Sequence, residues 1–300
     1  MKIVSLLPSG TEIAAALGLM DQIVGVSHEC DFPKEARNRP ILTRSILDHN
    51  LSPAEIDAAV TAASLERKPL YAVDGELLTS LAPDLILTQG VCTVCAVTPE
   101  TIEEGLRFVR LENACTAPVL SLSGMNFEGI QADLRAVGEA CGVEDRAAQV
   151  INEMNDRWNA IPKNPKTPKV LMLEWPDPPW SGGHWVPQQV HAAGGVDPFG
   201  TPSAPSRRLT WEDIAQADPD VIIASACGFD LQTNRQHILA SIAKHPEVAA
   251  LRAVQQGNVW AVDANAHFSR PAPRVVEGAE ILSRILRGEP VDPGHALRID

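Results

Sequence analysis

Val143, Ala147, Val150, Met154, Trp158 and Ile161 recur at steps of four, three, four, four and three. That spacing puts them on one face of an amphipathic helix. Gly142 precedes the run and Pro162 ends it, so one helix over 143–161 is expected, about 28 Å long at 1.5 Å per residue. Short apolar runs on either side read as strands: Lys2–Leu7, Gln22–Val26, Asp84–Leu87 and Pro118–Leu122 before it, Lys169–Leu173, Asp220–Ala224 and Asn258–Val262 after it. Helices are expected between them. Ser9-Gly10-Thr11-Glu12 has the form of a capping box opening a helix over Glu12–Leu17. Ser52-Pro53-Ala54-Glu55 is a second helix start, Thr98-Pro99 a third running to about Leu111, and Arg235–Lys244 a fourth segment of helix.

One corner is written twice. Glu76-Leu-Leu-Thr-Ser-Leu-Ala-Pro-Asp84 and Glu212-Asp-Ile-Ala-Gln-Ala-Asp-Pro-Asp220 each set a Glu ahead of a Pro-Asp pair that opens a strand. Alternating strands and helices argue for parallel sheets. The repeat argues for two of them: an α/β lobe over 1–142, the helix 143–161 as the single connector, and a second α/β lobe over 162–300. Such a chain is built to trap a ligand in a cleft between its lobes.

Composition narrows the function. A net charge of −13 disfavours nucleic acid as a partner. No apolar run is long enough to insert in a membrane. Met1–Leu7 leads into Pro8-Ser9-Gly10 without the marks of a signal peptide, so a cytoplasmic location is expected, or a periplasmic or extracellular one if a leader belongs to the protein. Six cysteines are too sparse for a disulfide scaffold.

Ligands of open α/β sheets bind beyond the carboxyl ends of the strands. The most distinctive segment there follows Leu173: Trp175, Trp180 and Trp185, three of the six tryptophans, lie among prolines and glycines. Large flat side chains there suit a large flat ligand; the alternative is that they plug the top of the core. His28, Cys30, Cys92 and Cys95 form a second cluster, open to three readings: a metal contact, a thiol function, or inert buried thiols. Glu76 and Glu212 sit at helix starts, where a carboxylate complements the helix dipole; two carboxylates, one per lobe, would also suit a symmetric partner carrying arginines. No enzyme motif is present, and the expectation is a non-enzymatic binding protein.

The order Leu6-Leu7-Pro8-Ser9-Gly10-Thr11-Glu12, Val24-Gly25-Val26-Ser27, Asp31-Phe32-Pro33, Pro178-Pro179-Trp180-Ser181-Gly182 and Phe268-Ser269-Arg270-Pro271-Ala272-Pro273-Arg274 resembles the helical-backbone solute-binding proteins of ABC importers. Within that class it is most similar to cobalamin-binding proteins, over nearly the whole chain. The resemblance implies a corrinoid held in the cleft as bound ligand, with no catalytic cofactor, in a monomer. It implies that Trp175 stacks on the corrin ring, and that Glu76 and Glu212 dock arginines of permease subunits. Pro8, Ser9, Glu29, Cys30, Gln89 and Cys92 would form the facing wall, and Trp180, Trp185, His267 and Arg270 would complete the site. Haem or a ferric siderophore is the alternative ligand on the same fold, weakened by the presence of one tyrosine, Tyr71. A cytosolic metal- or thiol-handling protein using Cys30, Cys92 and Cys95 is the alternative from another class.

Overall fold

The computed structural model describes residues 1–48, 51–66, 68–89 and 116–299. The helix expected from Thr98 to Leu111, and Cys92 and Cys95, lie outside the described residues. The chain falls into two compact units: Met1–Gly124 with Glu128–Ile151, and Met125–Phe127 with Asn152–Asp300.

In the first unit, strands β1 (Ile3–Ser5), β2 (Ile23–Val26), β5 (Leu85–Gln89) and β6 (Val119–Leu122) form a parallel sheet in the order β2-β1-β5-β6. Strands β3 (Thr43–Ser45) and β4 (Tyr71–Val73), absent from the expected elements, pair antiparallel beside it. All three residues of β1 are buried, as a central parallel strand covered on both faces requires. In the second unit the order is β11-β10-β9-β7-β8, from β7 (Val170–Pro176), β8 (Pro179–Ser181), β9 (Val221–Ala224), β10 (Val259–Val262) and β11 (Ala296–Arg298). Its three central strands are parallel, and both edges are antiparallel. The expectation of parallel sheets therefore holds for the interior of this sheet and not for its edges.

The repeated corner produces the same geometry twice. Helices Gly75–Leu81 and Trp211–Ala217 both end on a residue in the left-handed region, Ala82 and Asp218. The aspartate after the proline then accepts the backbone N–H of a lysine that opens the neighbouring strand: Lys2 N to Asp84 Oδ2 at 2.7 Å, Lys169 N to Asp220 Oδ2 at 2.8 Å. Each lysine ammonium caps the helix it faces, on Leu81 O at 3.2 Å and on Ala217 O at 2.9 Å. The aspartate N–H returns a bond to the lysine carbonyl at 2.8 and 2.9 Å. One lysine and one aspartate thus satisfy helix-end carbonyls and set the strand register together.

Helix Glu144–Asn159 buries Ala147, Val150 and Met154 of the stripe expected from the sequence, and Ile151 beside them, with Glu144 and Asp145 in its first turn and Arg157 in its last, as the helix dipole favours. It is shorter at both ends than 143–161. Its first half falls in the first unit and its second half in the other. A helix over Phe127–Cys141 precedes it and was not expected, although Phe127, Ile130, Leu134 and Val137 carry the period. Gly142, at φ 67°, ends that helix in the left-handed conformation that costs glycine little.

The two capping boxes diverge. Ser52 and Glu55 form theirs: Ser52 N and Oγ donate to Glu55 Oε2 at 2.8 and 2.6 Å, and Glu55 N donates to Ser52 Oγ at 3.4 Å. Ser9–Glu12 does not. The first helix runs Pro8–Ala16 with Leu7 at its N-cap, because Pro8 is already shaped for the first helical position. Ser9 and Glu12 are buried inside it.

Asp220 also accepts Arg252 Nη2 at 2.8 Å and is the less exposed of the two corner aspartates. Asp220→Ala is expected to lower the unfolding free energy by about 1–3 kcal/mol, and Asp84→Ala by less, in chemical denaturation. Unchanged midpoints in both variants would remove the clamp from the account.

Candidate functional site

At the carboxyl end of the second unit's sheet, the segment taken for a loop is a β-hairpin. β7 continues to Pro176 and pairs with β8, with Trp175 opposite Trp180 and Pro176 opposite Pro179. Proline is tolerated because β8 borders the sheet and this part of β7 pairs only with β8. Directly opposed residues share a face of the ribbon, so the two tryptophans leave the hairpin on the same side. The row extends both ways. Phe229, from the loop after β9, meets Trp175 with ring centroids 5.1 Å apart, and His237 stacks on Phe229 at 4.8 Å. On the other side, residues 207–209 run along β8: Ser181 N donates to Arg207 O and Leu209 N to Pro179 O at 2.9 and 2.8 Å. This brings the Arg208 guanidinium over Trp180, 5.5 Å from the ring centroid.

Trp185 behaves differently. It is 5 % exposed, and its indole N–H donates to Phe268 O at 2.9 Å. Gln189, one helical turn on, donates to His267 O and Val275 O at 2.9 and 2.7 Å. Together they pin the 267–275 segment. Trp185 is therefore anchored in the core of the second unit, the alternative that the sequence left open for these tryptophans.

His267 is 2 % exposed and Arg270 7 %. His267 Nε2 lies 2.9 Å from His295 Nδ1, and its Nδ1 lies 3.6 Å from a Glu277 oxygen. Burial, then the neighbouring His295 and Arg274, push its pKa down to about 3, so the ring is neutral at pH 7.

Glu174 was not anticipated. It is the extra residue of a bulge between the Leu173–Ser181 and Trp175–Trp180 pairs. Its carboxylate accepts the Gly183 N–H at 3.1 Å and bonds the Ser206 hydroxyl, tying the hairpin to both segments that flank it. Desolvation pushes its pKa up to about 7 against those two hydrogen bonds. Gly183 packs against the Pro205–Ser206 backbone with no room for a Cβ. His184, at φ 56°, is held there by His184 N to Ala204 O at 2.6 Å and Ser203 N to His184 O at 2.9 Å. In sequence, the signal for Glu174 was a charge directly after four core positions.

In the first unit, Ser27–Cys30 forms a tight turn beyond β2, closed by Cys30 N to Ser27 O at 3.1 Å. His28 Nδ1 lies 2.6 Å from Thr43 Oγ1, its Nε2 is 3.4 Å from Glu29 Oε1, and its ring faces Tyr71. Cys30 is 5 % exposed, with Sγ 3.1 Å from Thr11 Oγ1, and so is a core thiol. Glu29 is exposed, and Pro8 and Gln89 half-buried. Among the described residues no group of three His, Cys, Asp or Glu side chains is placed to hold a metal. Glu76 and Glu212 are both exposed in the first turn of the two matching helices.

A family model described as "Periplasmic binding protein" matches residues 3–266. The chain belongs to the periplasmic binding protein family. It is thereby a solute-binding protein of the kind that serves ABC importers. An ABC transporter substrate-binding lipoprotein of Bacillus subtilis is 26 % identical over 94 % of this chain and 78 % of its own length. A cobalamin-binding protein of Halobacterium salinarum is 25 % identical over 92 % of this chain, which spans 66 % of that protein. A periplasmic haem-binding protein from Pseudomonas aeruginosa shares the fold, with a TM-score of 0.71 and 18 % identity over 100 % of this chain and 98 % of that one. No helix among the described residues of this periplasmic binding protein is long and apolar enough to cross a membrane.

Glu174 makes stability depend on pH. Between its ordinary pKa of 4.5 and about 7, the folded protein keeps a proton that the unfolded chain has lost. Stability from this group therefore falls as pH rises through that window, by at most ~3 kcal/mol, and is flat above it. His267 works in the opposite sense: the unfolded chain takes up a proton below 6.5 and the folded one resists it until about 3, so stability is lost on acidification. Glu174→Gln should leave the His267 slope alone, with stability rising between pH 5 and 7 more steeply than in the unmodified protein. Identical pH slopes in denaturant titrations would contradict the assignment.

Proposed function

We propose that this protein binds a corrinoid, cobalamin, and presents it to the permease of an ABC importer. The observation that carries this reading is the pair of opposed indoles, Trp175 and Trp180, extended by Phe229 into a partly exposed aromatic row at the carboxyl end of β7. A macrocycle is the kind of solute that suits a row of large aromatic side chains. The similarity to a cobalamin-binding protein supports the same choice. Glu29 lies in the turn after β2, Gln89 ends β5, and Pro8 and Ser9 open the first helix, all toward the carboxyl end of the first unit's sheet, while His267 and Arg270 would act through the pinned segment that carries them. Glu76 and Glu212 would be the docking carboxylates.

Haem is the second reading, supported by the fold shared with a haem-binding protein. It lacks support from the tyrosine content: Tyr71 sits half-buried beside His28.

Isothermal titration with cobalamin tests the proposal. Saturable binding at one site is expected, weakened roughly tenfold or more by Trp175→Ala. Charge reversal at Glu76 and Glu212 should leave that affinity unchanged. Absence of heat with cobalamin, together with saturation by haem, would overturn the corrinoid in favour of the second reading.

A further inference from the structure

Phe229, which extends the aromatic row beyond Trp175, stands on a turn held from three sides. Phe229 N donates to Ala226 O at 3.2 Å, and Gly228 between them has φ 85°. Residues 226–229 therefore form a tight turn with a positive φ at its third position, where glycine is the least strained residue. Cys227 N donates to Glu174 O at 3.2 Å, which ties the turn to β7. Asn265 N, just beyond β10, donates to Phe229 O at 3.4 Å.

The third hold is Asn234, a side chain 1 % exposed. Its Oδ1 accepts the Ala226 N–H at 2.8 Å, and its Nδ2 donates to Phe229 O at 3.3 Å and to Val262 O at 3.1 Å. One amide thus binds both ends of the turn and the last residue of β10. Its orientation is settled by its partners, an N–H on one side and carbonyls on the other. His237 lies three residues further along helix Leu231–Lys244, on the same face, and stacks on the Phe229 ring at 4.8 Å. That helix starts directly after the turn, where Asp230 accepts the Thr233 N–H at 2.8 Å. A single helix face therefore grips Phe229 by its backbone and by its ring.

A buried amide is costly unless its hydrogen bonds are made, and here they are spent on the backbone of one turn. An apolar residue at 234 would leave the buried Ala226 N–H without this acceptor. Building on the corrinoid reading, we infer that Asn234 is a positioning residue for solute binding: it fixes the turn 226–229 so that Phe229 extends the Trp175 surface on which the ring lies. A turn set in advance spares the solute the entropy of ordering it.

Titration with cobalamin in a double-mutant cycle over Asn234 and Phe229 tests this, with circular dichroism to establish that each variant is folded. Phe229→Ala should weaken binding roughly threefold to tenfold. Asn234→Ala should cause a loss of the same order when Phe229 is present and little further loss in the Phe229→Ala chain, a coupling that a merely structural role would not produce. Gly228→Ala is the second variant, and it serves if Asn234→Ala does not fold. Its Cβ would meet nothing within 4 Å, so it strains the turn without a clash, and it should weaken binding only when Phe229 is present. Unchanged affinity in the folded Asn234→Ala and Gly228→Ala chains, equal losses with and without Phe229, or a Phe229→Ala chain that binds as tightly as the unmodified one would overturn the positioning role and leave corrinoid binding standing. If the unmodified chain binds no cobalamin, the positioning role falls together with the corrinoid function.

Discussion

A lysine and an aspartate, used twice, hold the architecture in place. In each unit the lysine at the foot of a central strand is bonded through its backbone to the Pro-Asp corner and through its ammonium to the end of a helix. The corner fixes where the next strand begins, and the register follows: Ile3 beside Leu85 in one sheet, Val170 beside Val221 in the other. Everything beyond the carboxyl ends of those strands inherits its position from that register. The Trp175–Trp180 hairpin continues a strand whose foot is Lys169. The Ser27–Cys30 turn follows a strand paired to the one that starts at Lys2. Conserving a one-residue register matters here because a slip would send every alternate side chain to the wrong face.

The segments beyond the carboxyl end of the second unit's sheet are held by costlier means. Desolvation acts against the charged forms of half-buried Glu174 and buried His267, one kept near pH 7 as a partly protonated acid and the other as a neutral imidazole. Each fastens a segment: Glu174 holds Gly183 and Ser206, and His267 sits in the stretch pinned by Trp185 and Gln189. The consequence is a hydrogen-bonded frame around a few partly exposed aromatic side chains. Rigidity lowers the entropy lost when a solute orders the surface, which is one route to affinity without new contacts.

How much of this was legible in the sequence depends on the range of the interaction. The Pro-Asp corners, the 3.6-residue stripe of the helix at 144–159 and the Ser52 cap are local, and the pattern exposed them. Glu76 and Glu212 were legible as a pair because the corner repeats. The lysines were not, since Lys2 and Asp84 are far apart in sequence and meet only once the sheet is formed. The hairpin at Trp175–Trp180 was hidden by prolines, which usually argue against strands but are tolerated at an edge. Trp185 could not be separated from its neighbours by composition, because its fate is set by Phe268 across the fold. Arg208 and Phe229 join the aromatic row through pairings between distant segments, which no window along the chain reveals. The Ser9–Glu12 box misled for a simple reason: Pro8 already satisfies the start of that helix.

The central claim is that the solute lies flat on the Trp175–Trp180 row. The most direct measurement is a crystal structure of the protein grown with cobalamin. The account predicts the corrin ring against those two indoles, at a stacking separation of roughly 3.5–4 Å. Cobalamin bound elsewhere, with both indoles uncovered, would contradict it.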